Sequence, residues 1–262
     1  MGADNFSLKD KKALIVFPEA AYGLQIAEGL CEAGAEVFLC GACAEGLKSV
    51  NSLIASQGYQ AAILMEYKQG TDKAAEELTR KAREEMGRVD CFVYIDPGIY
   101  LSGWDHEFEE IAENLRITQT GFMLTVKHIG ALMAESGQGS VLFVTDYAAL
   151  VGCDIQNYAD APEIFDNDFS LDYGYVKGSY VNYTRQAAGY LGENNIRCNS
   201  IAYAPLEGMK PGGFEDAFIK HSHLKRMASD QDIKGAAVFF ASDASRYITG
   251  VTLPVDGGYT AK

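Results

Sequence analysis

The sequence has 262 residues, of which 48% are hydrophobic, and its formal net charge is −14. A chain of this length can bury the core of one α/β domain. Its acidity disfavours nucleic acid and anionic membranes as partners, because like charges repel. No apolar run reaches the length of a membrane span. Six cysteines are scattered through the chain, which is typical of reduced thiols in the cytoplasm.

No metal site is expected from the cysteine and histidine spacing. The Cys-x-x-Cys at 40–43 and the His-x-His at 221–223 are isolated pairs without a second group of ligands. A structural metal normally needs four such side chains.

Short apolar runs alternate with amphipathic runs along the chain. The apolar runs predict buried strands at 13–17, 36–40, 61–65, 90–95, 139–144, 197–202 and 251–255. The runs between them predict helices at 22–33, 44–57, 71–86, 105–134, 173–192 and 230–241. This alternation indicates a Rossmann-like, doubly wound parallel sheet of about seven strands in one domain over residues 1–262. Only 147–172 and 203–229 lack a regular pattern, and loops of that length usually carry function.

The stretch "YGYVKGSYVNYTRQAAGYLGENNIRCNSIA" resembles the active-site helix and sixth strand of the short-chain dehydrogenase/reductase family. The stretch "RMASDQDIKGAAVFFASDASRYITGVTLPVDGGYT" is similar to its C-terminal segment, and "GRVDCFVYI" and "GSVLFVTDYAALVG" match its fourth and fifth strands. The resemblance therefore extends over essentially the whole chain.

This resemblance implies a catalytic pair. Tyr173 takes the place of the family's general acid/base, and Lys177 that of the lysine that lowers its pKa and holds the cofactor ribose. Residues four apart share a helix face, which independently brings the two side chains together. The family's serine and asparagine positions hold Asp146 and Thr118. A carboxylate beside Tyr173 disfavours tyrosinate, so Asp146 either opposes the lysine or acts as a base in a different reaction.

The cofactor motif departs from the family pattern. Where the family has a glycine-rich turn, this chain has "VFPEAAYG" and keeps only Gly23. Phe17 adds a ring where the turn should be bare, Pro18 removes an N–H donor, and Glu19 brings a carboxylate to the helix terminus that would attract phosphate. Of the other cofactor contacts, Glu66 is a modest substitute for the usual aspartate. We therefore expect no binding of NAD(P).

The segment between the fifth strand and the active-site helix is longer than the family usually has. Its extra part, 153–172, is acidic and rich in turn-forming residues. We expect it over the mouth of the site, either as a lid that gates a substrate or as a surface loop that tolerates insertion.

Three functional hypotheses follow. The main one is a pseudoenzyme, a non-catalytic family member without NAD(P) that pairs with an active dehydrogenase subunit. Family members form dimers and tetramers through the two long helices, here 105–134 and 173–192, and the C-terminal strand, so a homo- or hetero-oligomer is expected. The alternative is an active NAD(P)-dependent alcohol dehydrogenase or carbonyl reductase that uses Tyr173 and Lys177 on a small molecule or an acyl-CoA. The third is a cofactor-independent enzyme with the same fold.

Overall fold

The computed structural model describes residues 3–261. Its seven strands form one sheet in the order β3-β2-β1-β4-β5-β6-β7, and every neighbouring pair is parallel. The strands are β1 (Lys12–Val16), β2 (Glu36–Gly41), β3 (Ala61–Glu66), β4 (Cys91–Ile95), β5 (Gly139–Asp146), β6 (Ile196–Tyr203) and β7 (Thr252–Val255). The predicted doubly wound α/β fold is confirmed.

Helices connect the strands and cover both faces of the sheet. They are α1 (Gly23–Glu32), α2 (Ala44–Ser56), α3 (Asp72–Met86), α4 (Phe108–Leu115), α5 (Gly121–Ser136), the single turn α6 (Phe165–Asp168), α7 (Tyr173–Gly192), α8 (Gly212–His221) and α9 (Asp230–Ala241). The helix predicted over 105–134 is observed as α4 and α5, which run on without a break through a π-helical turn at Arg116–Thr120. None of the helices in residues 3–261 has the length and apolar character needed to cross a bilayer.

The core lies in two layers, one on each side of the sheet. On one face, side chains of α3, α5 and α7 such as Leu78, Phe122 and Val176 pack against the strands. On the other face, Ile26 of α1 and Phe240 of α9 belong to the second layer. Because both faces are covered, the central strands are continuous apolar runs, and all five residues of β4 are buried.

The turn between β1 and α1 is built without the glycines that such turns usually contain. Phe17 lies in the left-handed region with φ 63°, and Tyr22 does so with φ 72°. The Phe17 N–H donates to the carbonyl of Cys40 at 2.7 Å, which ties the turn to the end of β2. Glycine is favoured at position 23, because a Cβ there would clash with the backbone carbonyl of Pro18.

The two segments predicted as irregular pack against each other. A third apolar cluster joins Tyr147 and Tyr158 of the first segment to Phe214 and Phe218 of the second. Helix α8, which the sequence pattern did not predict, lies in this second segment. The stretch 153–172 is therefore a packed part of the domain, close to the carboxyl edge of the sheet.

We predict that Gly23→Ala destabilises the fold by about 1–3 kcal/mol, the usual cost of forcing an atom into a filled space. Gly235→Ala is the matched control: Gly235 is an exposed residue within α9, where a Cβ would meet nothing within 4 Å. The control should be neutral or stabilising, because alanine favours the helix. Urea unfolding of the two variants measures the difference, and equal stabilities would contradict the prediction.

Candidate active site

The candidate site lies at the carboxyl edge of the sheet, beside the place where the strand order changes direction between β1 and β4. Ligands of open α/β sheets bind in the crevice at this point. Asp96 follows β4, Asp146 ends β5, and Tyr173 and Lys177 occupy the first turns of α7. All four side chains are buried.

The ammonium of Lys177 lies between two carboxylates. Its Nζ is 2.8 Å from Oδ2 of Asp96 and 2.9 Å from Oδ2 of Asp146. The hydroxyl of Tyr173 donates to the same Oδ2 of Asp146 at 2.7 Å, and the hydroxyl of Tyr100 donates to Oδ2 of Asp96. The sequence-predicted Tyr173, Lys177 and Asp146 are therefore brought together, with two partners that the sequence analysis did not assign.

Local backbone structure fixes Asp146. Its Oδ1 accepts the N–H of Ala148 at 2.9 Å, so the side chain caps the 3₁₀ turn Tyr147–Ala149 that follows β5. One carboxylate oxygen is committed to this cap, and the other is left for Tyr173 and Lys177. The position that holds a serine hydroxyl in the family thus carries a hydrogen-bond acceptor with a negative charge.

The electrostatics of this group favour a neutral phenol and a charged amine. Burial raises the pKa of Tyr173 well above its ordinary value, and the charge of Asp146 raises it further. Burial disfavours the charge of Lys177, but the carboxylates of Asp146 and Asp96 outweigh it, so the pKa of Lys177 is raised as well. Tyr173 is therefore protonated at neutral pH and can donate a proton.

A cavity of about 370 Å³ opens beside these side chains. Its wall includes the β1–α1 turn, the Tyr173 and Lys177 pair, and both of the long segments. The lining residues are Ala21, Tyr22, Gly98, Tyr100, Leu101, Asp146, Tyr147, Asn167, Asp168, Tyr173, Lys177, Pro205, Met209 and Lys210. The stretch 153–172 thus contributes a side of the cavity, where Lys210 Nζ binds Oδ2 of Asp168 at 2.6 Å.

Thr118 is not part of this group. It lies in the π-helical turn, and its hydroxyl donates to the carbonyl of Asn114 at 2.8 Å within its own helix. The side-chain amide of Asn114 instead donates to Asp172, the residue just before α7. The asparagine position of the family is therefore occupied by a side chain whose hydroxyl is already used in the helix backbone.

The three residues expected to oppose a cofactor do not block the α1 terminus. The Phe17 ring is buried in the core, 6.0 Å from the Tyr67 ring and 5.7 Å from the Tyr94 ring between centroids. Pro18 is also buried. The carboxylate of Glu19 turns away to β2, where it accepts the N–H of Ala42. The first turn of α1 contains no acidic residue and has no side-chain cap.

Gly23 and Glu66, the two positions expected to retain part of the family's cofactor contacts, lie on separate elements. Gly23 begins α1. Glu66 ends β3, where it is exposed and pairs in register with Gly41 at the end of β2. Both positions are at the carboxyl edge of the sheet, where a bound dinucleotide would extend.

Sequence reasoning missed Asp96, Tyr100, Asp168 and Lys210. Asp96 carried a usable signal, since it directly follows a buried strand and parallel strands end at one edge. Asp168 and Lys210 carried none, because their pairing depends on how the two long segments fold onto each other.

A comparison with known families identifies the chain. The short-chain family model described as enoyl-(acyl carrier protein) reductase matches residues 19–260. The chain belongs to the short-chain dehydrogenase/reductase family. The family resemblance expected from the sequence is thereby confirmed.

Similar members of this family are named dehydrogenases. The cis-4-hydroxycyclohexanecarboxylate dehydrogenase of Sinomonas cyclohexanicum is 28% identical over 262 residues, covering 96% of this chain and 97% of the relative. The gluconate 5-dehydrogenase of Gluconobacter oxydans (strain 621H) is 28% identical over 265 residues, covering 98% and 97%. A gluconate 5-dehydrogenase of Burkholderia cenocepacia J2315, solved in complex with NADP and tartrate, has the same fold, with a TM-score of 0.83, 21% identity and coverage of 99% and 98%.

These findings correct two expectations. The hypothesis of a non-catalytic subunit is wrong, and so is the expectation that no NAD(P) is used, because full-length relatives are named dehydrogenases and a protein of the same fold holds NADP. The physical reason lies in the turn: the Phe17 ring is in the core and the Glu19 carboxylate points to β2. A sequence alignment alone suggests that both side chains occupy the α1 terminus. In the structure neither of them does.

We predict that Asp146→Asn lowers the pKa of Tyr173 relative to the wild type, because the substitution removes a negative charge that disfavours tyrosinate. Ultraviolet difference titration of tyrosinate, with the Tyr173→Phe form of each protein subtracted, isolates this one phenol. Asp216→Asn, an exposed position on α8, is the control and should leave the titration unchanged. A pKa that rises or stays constant in Asp146→Asn would refute the electrostatic role of Asp146.

Proposed function

We propose that this chain is an NAD(P)-dependent oxidoreductase that interconverts an alcohol and a carbonyl compound. The observation that carries the proposal is the placement of Tyr173 and Lys177 on the wall of a cavity that also reaches the β1–α1 turn. A protonated phenol, a buried ammonium and space for a ligand are thus combined in one crevice. The names of the full-length relatives support the same class of reaction.

The residues of the crevice fit a nicotinamide dinucleotide, which when bound supplies or accepts the hydride. The uncapped first turn of α1 offers backbone N–H groups to a pyrophosphate, and Gly23 keeps its start free of a side chain. Lys177, whose charge is maintained by two carboxylates, would hold the nicotinamide ribose. Glu66 would lie at the adenine end.

Tyr173 moves the proton in this proposal. In reduction, its hydroxyl donates to the carbonyl oxygen of the substrate while its oxygen takes up a proton from Asp146, so that the phenol stays neutral. In oxidation, the phenol oxygen accepts the proton of the substrate alcohol, while its own proton passes to Asp146, to which it is already hydrogen-bonded at 2.7 Å. Asp146 therefore serves as a proton acceptor behind Tyr173, a role that a serine could not fill.

The cavity favours a small, polar substrate. Its wall carries the charged side chains of Asp146, Asp168, Lys177 and Lys210, and buried polar groups select ligands that satisfy their hydrogen bonds. The relatives are named for a hydroxylated cyclic acid and a sugar acid. We propose a hydroxylated small molecule of this kind as the substrate class, and the cytoplasm as the place of action, since all six cysteines are unbridged.

We predict that Tyr173→Phe lowers turnover by about 10²–10⁴-fold, the contribution of a positioned general acid. Oxidation of a panel of hydroxy acids and polyols is followed by the absorbance of reduced nicotinamide. Tyr175→Phe is the matched control, because Tyr175 lies on the same helix and is 65% exposed; it should retain full activity. Full activity in Tyr173→Phe would contradict the proposed role.

We also propose that the protein forms a homo-oligomer through α5 and α7. A groove between these helices is lined mainly by apolar side chains, and Tyr190 at its edge is 76% exposed. Tyr180 on the same helix is buried in the core, so only part of the aromatic content of α7 is available to a partner.

We predict that Tyr190→Glu shifts the protein towards the monomer, since it places a charge in an apolar contact. Native mass spectrometry gives the oligomeric state. Leu53→Glu on α2, where Leu53 is 46% exposed, is the control for an added charge and should leave the assembly intact. A monomeric wild type would contradict the proposal.

A further inference from the structure

We propose that Glu19, in the β1–α1 turn, binds the adenosine ribose hydroxyls and makes this site select NAD over NADP. The inference rests on the proposed function, since it assumes that a dinucleotide occupies the crevice. It concerns a residue that the alignment with the family places in the phosphate-binding turn.

The first observation is the place that the carboxylate occupies. In dinucleotide-binding sheets, an acidic residue at the end of the second strand accepts hydrogen bonds from the ribose hydroxyls. Here β2 ends at Gly41 and continues into Ala42, so the strand itself supplies no carboxylate. Glu19 extends across from β1 and accepts the N–H of Ala42 through Oε1. A carboxylate is thus present at the end of β2, supplied by the β1–α1 turn.

The second observation is that glycines make room for it. A Cβ at Gly41 would collide with the carboxylate of Glu19, and a Cβ at Gly46 would lie 3.2 Å from the Cβ of Glu19. Gly41 has an ordinary backbone conformation, so it is the contact with Glu19, and not the backbone, that favours glycine here; a larger residue would have to displace the carboxylate. Glycines at both positions therefore leave room for this side chain.

The third observation is an unused acceptor. Oε2 of Glu19 is buried and has no hydrogen-bond partner in the part of the chain that the structure describes. Buried polar atoms are almost always paired, and leaving one unpaired is unfavourable. A ribose hydroxyl is a donor of the kind that this oxygen lacks, and because the oxygen is enclosed, the flexible end of the Glu19 side chain has to turn outwards to meet it.

The surrounding charge excludes a 2′-phosphate. The stretch 40–47 contains no Lys or Arg and one acidic residue, Glu45. Glu66 pairs in register with Gly41 on the neighbouring strand, and Lys48, the first basic residue, is exposed in the second turn of α2. A phosphate placed here would face the carboxylates of Glu19, Glu45 and Glu66, which repel it.

The test is equilibrium binding of NADH and NADPH to the full chain, followed by nicotinamide fluorescence. We expect the wild type to bind NADH at least about 10-fold more tightly, as a hydrogen bond to a charged group implies. Glu19→Gln should lose most of this preference by weakening NADH. Gly41→Ala should do the same with Glu19 intact, because its methyl group displaces the carboxylate. Circular dichroism and thermal unfolding verify that each variant is folded.

Glu45→Gln is the control for charge alone, and it should change the affinity for NADH much less than Glu19→Gln does. Equal affinities of the wild type for the two dinucleotides, or an unchanged preference in folded Glu19→Gln, would overturn the inference and leave the proposed function in place. A wild type that binds neither dinucleotide would overturn both.

Discussion

The ammonium of Lys177 is the interaction on which the site depends. It neutralises one of two buried carboxylates, those of Asp96 and Asp146, that end neighbouring strands. Without it, two like charges would face each other away from water, a situation that costs about 3–5 kcal/mol when one partner of a buried pair is removed. The same contact orients Asp146 towards Tyr173 and connects β4, β5 and α7. Stability and proton transfer therefore share one group.

Most of the fold could be predicted from the sequence because its strands are buried on both faces. Continuous apolar runs such as 139–144 are characteristic of parallel strands. The observed strand β5, Gly139–Asp146, begins at the predicted residue and ends two residues later. Helix α8 was missed because its apolar residues, such as Phe214 and Phe218, pack in a separate cluster with residues of the segment 147–172. That cluster depends on contacts between distant parts of the chain, which local periodicity does not contain.

The candidate site was less predictable, for two different reasons. Helix geometry places Tyr173 beside Lys177, so that pair could be derived from spacing. Side-chain direction in a turn has no such rule: the sequence locates Phe17 and Glu19 at the phosphate-binding turn, yet one enters the core and the other reaches β2. The alignment gave the right positions and the wrong directions, and the cofactor expectation failed there.

The left-handed backbone of Phe17 limits which substitutions position 17 tolerates. A non-glycine residue with φ 63° costs about 1–2 kcal/mol, but burial of the ring among Tyr67 and Tyr94 stabilises the fold by about 1.5–3 kcal/mol. Substitution by glycine relieves the smaller cost and leaves a cavity in the core, where removing a phenylalanine ring costs about 3–5 kcal/mol. A glycine at position 17 is therefore destabilising on balance, and the core would have to repack around the lost ring before it became neutral.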